Sequence, residues 1–199
     1  MPIRPFPLPM TVGTDICNIP RVLKLITKQK HGSLNSFLRR LLSPREQDAF
    51  SHRFGAIDTI FLEAKQTETS KAGVVARHLA GRWAAKEAVI KAYGSQGRRL
   101  SFWDILITAN AAVQSERSEP VTCLVLDSRA EHFPANRCSD TDEISQFRQR
   151  DGPVEAALHG QVVRISISHD SEYATAVCIA PLEPAPGDVG GEAAARALY

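Results

Sequence analysis

The sequence predicts a globular chain of mixed helix and strand, and three observations predict it. A helical pattern runs from about Val74 to Tyr93. Leu100–Thr108, Val121–Asp127, Val162–Ser168 and Tyr173–Ala180 read as strands rich in β-branched residues. A composition of 43% hydrophobic and 23% charged residues over 199 positions supplies a real core, enough for one domain or two small ones.

The elements follow in order. The first nine residues hold one Arg and four prolines but no apolar stretch, so they are no secretory signal. They are also a poor amphipathic presequence, which leaves a matrix address open. Met10–Ile16 is a short β-like run containing Gly13. Pro20 opens a helix in which Ile19, Val22, Leu23 and Ile26 recur at helical spacing, with Arg21, Lys24 and Lys28 among them. Leu34–Leu42 is a second amphipathic segment. Ser43, Pro44 and Glu46 form a helix start, with Ser43 as cap and Glu46 completing a capping box, and that helix should reach about Phe54. Gly55–Gly73 reads as an insertion around the polar run Lys65–Lys71. Gly94 suits the cap that ends the long helix. Ser128–Gly160 carries charges of both signs with little periodicity and reads as a mobile loop. The strands Val162–Ser168 and Tyr173–Ala180 are joined by a turn at His169–Glu172. From Pro181 the chain is rich in Pro, Gly and Ala and reads as a flexible tail. The expected organisation is a single domain over 1–180, with inserted loops near 55–78 and 128–160 and a tail over 181–199.

Composition narrows the function. A net charge of only +2 argues against a dedicated nucleic-acid binder. No apolar run reaches transmembrane length, so a soluble protein without a membrane role is expected. The four cysteines, Cys17, Cys123, Cys138 and Cys178, are far apart and include no CxxC pair, which signals neither a disulfide framework nor a zinc site. P-loop, Rossmann, HExxH, GxSxG and kinase motifs are missing.

Three groups of residues carry candidate chemistry. Asp15 ends a β-like run just before a helix, a position that suits a site residue and equally a helix cap or surface turn. On the long helix Trp83, Glu87 and Lys91 are each four apart and share a face, with Lys86 on the neighbouring stripe. The plain reading of Glu87 and Lys91 is a surface ion pair worth about 0.3–0.5 kcal/mol. The sharper reading is a carboxylate and an ammonium aimed at a metal–phosphate group. Mg²⁺ is held by one or two carboxylates plus substrate phosphates and water, and Asp15 with Glu87 could supply them. Lys91 would then neutralise charge on a leaving phosphate. The third group is Ile165–His169, where alternation puts Ser166 and Ser168 on one face and His169 in a turn. Such a His is commonly structural. Arg98 and Arg99, in the Gly/Arg loop after the helix, suit a phosphate as well as a solvated turn.

Together these segments resemble the holo-acyl-carrier-protein synthase family of 4'-phosphopantetheinyl transferases, in a eukaryotic, fungal-like form. Gly13-Thr14-Asp15-Ile16-Cys17-Asn18-Ile19-Pro20-Arg21 matches the family's G-x-D-I-x-x-I-x-R opening. Trp83–Ala92 matches F/W-A-A-K-E-A-x-x-K-A, followed by Gly94 and by Leu100-Ser101-Phe102-Trp103-Asp104-Ile105 for L-S-F-x-D-I. Ser166-Ile167-Ser168-His169 with Tyr173–Ala176 matches S-I-S-H-x-x-x-Y-A-x-A. The order and register of three motifs make the match specific over roughly 10–53, 79–107 and 162–180. The family usually has Phe where Trp83 stands.

The resemblance implies an α+β fold, with a long helix packed on a small antiparallel sheet, and a homotrimer with the site in each subunit cleft. It implies Asp15 and Glu87 as Mg²⁺ ligands and Glu87, Lys91 and His169 as catalytic residues. It also implies CoA contacts from Asp15, Arg82, Trp83, Glu87, Lys91, Gly94, Ser101, Ser168 and His169. A related monomeric family has a third acidic ligand where Cys17 stands, a place left here to water. The Arg21, Lys24 and Lys28 helix would meet an acidic acyl carrier protein. The implied reaction moves the phosphopantetheine arm of coenzyme A to a carrier serine and releases 3',5'-ADP, with a metal-bound water, Glu87 or His169 as the base. The mitochondrial matrix or the cytoplasm is the expected compartment. The rivals are a non-catalytic CoA- or nucleotide-binding subunit of a fatty-acid synthase assembly and a plain interaction domain using the basic helix.

Overall fold

The computed structural model describes residues 8–28, 33–61, 67, 69–94, 96–109, 121–127 and 159–182. Their strands are β1 (Met10–Asn18), β2 (Ile105–Ala109), β3 (Val121–Leu126), β4 (Gly160–Asp170) and β5 (Tyr173–Pro181). They form one antiparallel sheet in the order β1-β5-β4-β3-β2. Helices α1 (Ile19–Ile26), α2 (Ser33–Leu41), α3 (Pro44–Phe54) and α4 (Lys71–Gly94) complete an α+β fold, with 3-10 turns at Ile57–Phe61 and Phe102–Asp104.

The long helix α4 lies on one face of the sheet. On β5, Ala174, Ala176, Cys178 and Ala180 are buried while Tyr173, Thr175, Val177 and Ile179 are exposed, the period-two pattern of a sheet covered on one side. The helix presents Ala76, Ala80, Gly81, Ala84, Ala88 and Ala92 among its buried residues, so the two backbones come close. At Gly13 an added Cβ would lie 1.9 Å from the Ala88 carbonyl oxygen and 2.6 Å from the Ala92 nitrogen. Only glycine admits this approach of β1 to α4.

Local chemistry sets the element ends. Ser43 and Glu46 form the expected capping box: Ser43 N donates to Glu46 Oε2 at 2.9 Å and Glu46 N to Ser43 Oγ at 3.4 Å. α1 is capped by Asn18 Oδ1, which accepts from Arg21 N at 2.8 Å. α4 begins three residues before the expected Val74, because Ser70 Oγ accepts from Gly73 N at 3.2 Å and caps it. So residues 71–78 of the segment read as an insertion are the first turns of α4, and Ile60 within it is fully buried.

At the other end of α4, Gly94 belongs to the helix. The left-handed glycine beyond it is Gly97, at φ 77°. β2 starts at Ile105 rather than Leu100, since Ser101 and Asp104 cap a 3-10 turn between them. The β4–β5 hairpin turns on Ser171 and Glu172 alone, with Ser171 at φ 47°. Of the expected 128–160 loop, only His159 and Gly160 are among the described residues, and Gly160 opens β4. The expected tail lies outside them beyond Leu182.

His78 of α4 sits in the core between the rings of Phe50 (centroids 6.2 Å) and Phe54 (5.2 Å). Burial, with the charges of Arg82, Arg53 and His169, pushes its imidazole down to about 3 from an ordinary 6.5. The folded state therefore keeps His78 neutral while the unfolded chain takes up a proton below about pH 6.5. The stability this neutrality represents is present above pH 6.5 and is lost as pH falls from there toward 3, by about 1.4 kcal/mol per pH unit. Urea midpoints at pH 7 and pH 4.5 should fall further for the wild type than for His78→Phe. Equal falls would remove His78 from the acid limb.

Candidate active site

β1 and α4 bring together Asp15, Glu87 and Lys91. Asp15 lies on β1 two residues from Gly13, where the strand touches the helix. Lys91 Nζ donates to Asp15 Oδ1 at 2.7 Å and to the Thr14 carbonyl at 3.0 Å. Glu87 is half-buried one turn before Lys91 on the same helix face. Burial is the main cause that raises its carboxyl above the ordinary range, the nearby Asp15 charge adds to it, and Lys91 opposes. Two carboxylates thus converge beside one ammonium at the open edge of the sheet.

This donor set fits a hard divalent cation. Both carboxylates offer oxygen, and Glu87 is held where its charge lacks a full counterion. Among the described residues no group of three or more His, Cys, Asp or Glu side chains is arranged to hold a metal ion, and Asp15 with Glu87 is a group of two. Cys17, at the place of a third acidic ligand, is buried. Burial pushes its thiol up although Arg21 Nη2 stands 4.0 Å from its sulfur, so it stays a protonated thiol and no oxygen donor.

The other expected site residues lie elsewhere. His169 is the penultimate residue of β4, with Nε2 3.2 Å from the Arg77 carbonyl, and a Cβ on Gly81 would meet that nitrogen at 2.8 Å. Gly81 precedes Glu87 by six residues, about 9 Å along the helix axis. Burial lowers the imidazole's pKa, against the hydrogen bond to Arg77. Ser168 is exposed on the face of the sheet opposite the one that covers α4. Within one chain, then, Ser168 and His169 stand apart from the Asp15–Glu87–Lys91 cluster.

Trp83 packs rather than points into solvent. It stacks on Phe37 (5.8 Å, 23°) and meets Phe102 edge-on (5.1 Å, 69°). Arg82 is half-buried, and its charge acts on His78, Lys86 and Cys123. Ser101 accepts from Trp103 N at 3.3 Å as a cap. Gly94 is exposed, and nothing lies within 4 Å of a Cβ built on it. Arg98 donates to the Leu126 carbonyl at 2.9 Å and lies over the Tyr93 ring, so it ties the post-helix loop to β3.

A feature that sequence spacing does not reveal is the buried pair of Glu46 and Lys86. Lys86 Nζ lies 2.6 Å from Glu46 Oε2, with side chains 0% and 4% exposed. Burial pushes the Lys86 ammonium down, opposed by the Glu46 carboxylate. The partners are 40 residues apart, and Glu46 declares itself in the sequence only as half of a capping box.

The model of the 4'-phosphopantetheinyl transferase superfamily matches residues 11–178. The chain is 30% identical over 186 residues to a mitochondrial 4'-phosphopantetheinyl transferase B of Aspergillus fumigatus, covering 90% of this chain and 99% of that one. It is 32% identical to a holo-[acyl-carrier-protein] synthase of Geobacillus kaustophilus, covering 75% of this chain and 97% of the other. A solved ACPS–CoA complex from Chronobacterium ammoniagenes is 23% identical, with a TM-score of 0.46, covering 88% of this chain and 98% of that one. The chain belongs to the 4'-phosphopantetheinyl transferase superfamily, and within it to the holo-acyl-carrier-protein synthase type. It is accordingly an enzyme of the transferase class.

Proposed function

We propose that the chain transfers the 4'-phosphopantetheine arm of coenzyme A to a serine of an acyl carrier protein, with release of 3',5'-ADP. The observation that carries the reading is the convergence of Asp15 and Glu87 beside Lys91, on the segments shared with relatives named for this activity. Asp15 and Glu87 would hold Mg²⁺, which, when bound, would offset the charge of the CoA pyrophosphate. Lys91 is held by Asp15 and the Thr14 carbonyl with its head exposed, where it can donate to a leaving phosphate.

Arg21 and Lys24 on α1 and Lys28, two residues beyond its end, are exposed beside the exposed Leu25, and give an acidic carrier a charged and an apolar contact. A homotrimer is supported by the outer face of the sheet. Val12 and Ile16 on β1 and Val177 and Ile179 on β5 are all exposed there, between 41% and 62%. A site shared between copies would also give Ser168 and His169, remote from Glu87 in their own chain, a place in the chemistry. The relative named as mitochondrial supports a mitochondrial location. Among the described residues no helix is long and apolar enough to cross a membrane.

Calorimetric titration with CoA tests the site before any carrier is involved. CoA should bind at least tenfold more tightly with Mg²⁺ than with EDTA, and an Asp15→Asn, Glu87→Gln chain should lose the difference. Equal affinity with and without Mg²⁺ in the wild type would overturn the two-carboxylate site.

A further inference from the structure

The Glu46–Lys86 pair is built into the helix one residue before Glu87, and its hydrogen bonds tie three further segments to that point. Glu46 Oε2 accepts from Lys86 Nζ and, at 2.9 Å, from Ser43 N at the start of α3. Its Oε1 accepts from Ile107 N in β2 at 3.2 Å. Lys86 Nζ donates in turn to the Phe102 carbonyl at 2.9 Å. The Phe102 ring lies edge-on to Trp83, one helical turn before Glu87, and the next residue, Trp103, donates through Nε1 to the Arg39 carbonyl at 2.9 Å.

We propose that the buried Glu46–Lys86 pair is a positioning latch, which fixes the Ser101–Asp104 turn against α4 at Trp83, one helical turn before Glu87. Its effect on CoA rests on the transferase reading above; the geometry of the latch does not.

The physical case starts from what burial costs. Two charges removed from water inside a core of Ala, Leu and Ile gain little net stability, and apolar residues of similar volume often serve as well. What apolar residues cannot supply is register. Here one carboxylate and one ammonium engage two backbone N–H groups and a carbonyl from three chain segments. A one-residue slip of the turn along β2 would leave the Ile107 N–H and the Phe102 carbonyl without these buried partners at once. The Phe102 ring would leave Trp83 in the same step, and the helix face leading to Glu87 would lose its cover.

The test separates positioning from bulk stability. Glu46→Gln with Lys86→Met removes both charges together, and the single amide oxygen of glutamine can still accept from one of the Ser43 and Ile107 N–H groups. The chain's two tryptophans, Trp83 and Trp103, flank the turn, so their fluorescence reports its placement without any substrate. The double variant should still melt cooperatively, lowered by no more than the loss of one buried hydrogen bond. Its tryptophan emission should shift to longer wavelength, and KM for CoA should rise roughly tenfold or more while kcat changes far less. Lys86→Met alone, which leaves a buried carboxylate unpaired, should show the same shift with a lower melting temperature. A double variant with unchanged emission and unchanged KM would overturn the latch. If the wild type proves to have no transfer activity, that result strikes the transferase reading, and the emission of the double variant alone decides the latch.

Discussion

Glu87→Gln is expected to lower the rate of transfer by about a thousandfold or more while leaving the melting temperature at or above that of the wild type. The loss follows from what the carboxylate does. It is one of two oxygen donors that converge at the site, and removing a group that stabilises charge in the transition state costs on the order of 4 kcal/mol. The stability follows from the sign of its shift. Burial and the Asp15 charge raise the Glu87 carboxyl, so the fold disfavours its ionised form, and that penalty grows as pH rises through the ordinary carboxylate range toward neutrality. A neutral amide of the same shape escapes it.

Asp15→Asn should be equally inactive. It breaks a 2.7 Å ion pair whose Lys91 side chain is 53% exposed, a contact worth at most about 1 kcal/mol. The check is a transfer assay beside thermal melts of both variants. A Glu87→Gln chain that transfers at near wild-type rate would remove Glu87 from the chemistry.

The second large effect is structural. Gly13→Ala should destabilise the chain by several kcal/mol and abolish transfer with it. The added methyl meets the Ala88 carbonyl oxygen at 1.9 Å and the Ala92 nitrogen at 2.6 Å, both of them helix backbone, so no side chain can turn away to make room. β1 must lift from α4, and Asp15, two residues along, lifts with it. Gly94→Ala is the control. Its Cβ meets nothing within 4 Å, so it should leave stability unchanged or slightly raised. Urea midpoints of the two variants check the contrast, and a wild-type midpoint for Gly13→Ala would mean that the close approach is not needed.

How much of this was legible depends on how local each signal is. The Ser43–Glu46 capping box spans four residues, and both the helix start and its end at Phe54 were read correctly. The start of α4 was missed because the Ser70 cap follows a polar run that looked like loop, although Ser70 itself is a cap residue type. Gly94 ends the helix and Gly97 follows it, and composition alone does not say that Gly97 is the one that takes the left-handed turn.

Alternation separated Ser166 and Ser168 from Ile165 and Ile167. It could not show that His169 would be held at Arg77 and Gly81, about two helical turns from Glu87. The Asp15–Lys91 contact joins residues 76 apart; motif resemblance assigns both residues to one site, but nothing in the sequence announces the hydrogen bond between them. The Glu46–Lys86 pair had no signal beyond two ordinary charged residues, because its meaning arises only when α3 and α4 pack.

The central claim is tested most directly by mixing the purified chain with CoA, Mg²⁺ and a set of apo acyl carrier proteins and weighing each carrier by mass spectrometry. The account predicts that a carrier gains the mass of one phosphopantetheine group, that the gain is lost with EDTA, and that it is lost in Glu87→Gln. Carriers of unchanged mass, in the presence of a chain that demonstrably binds CoA, would contradict it and leave a CoA-binding subunit without transfer chemistry.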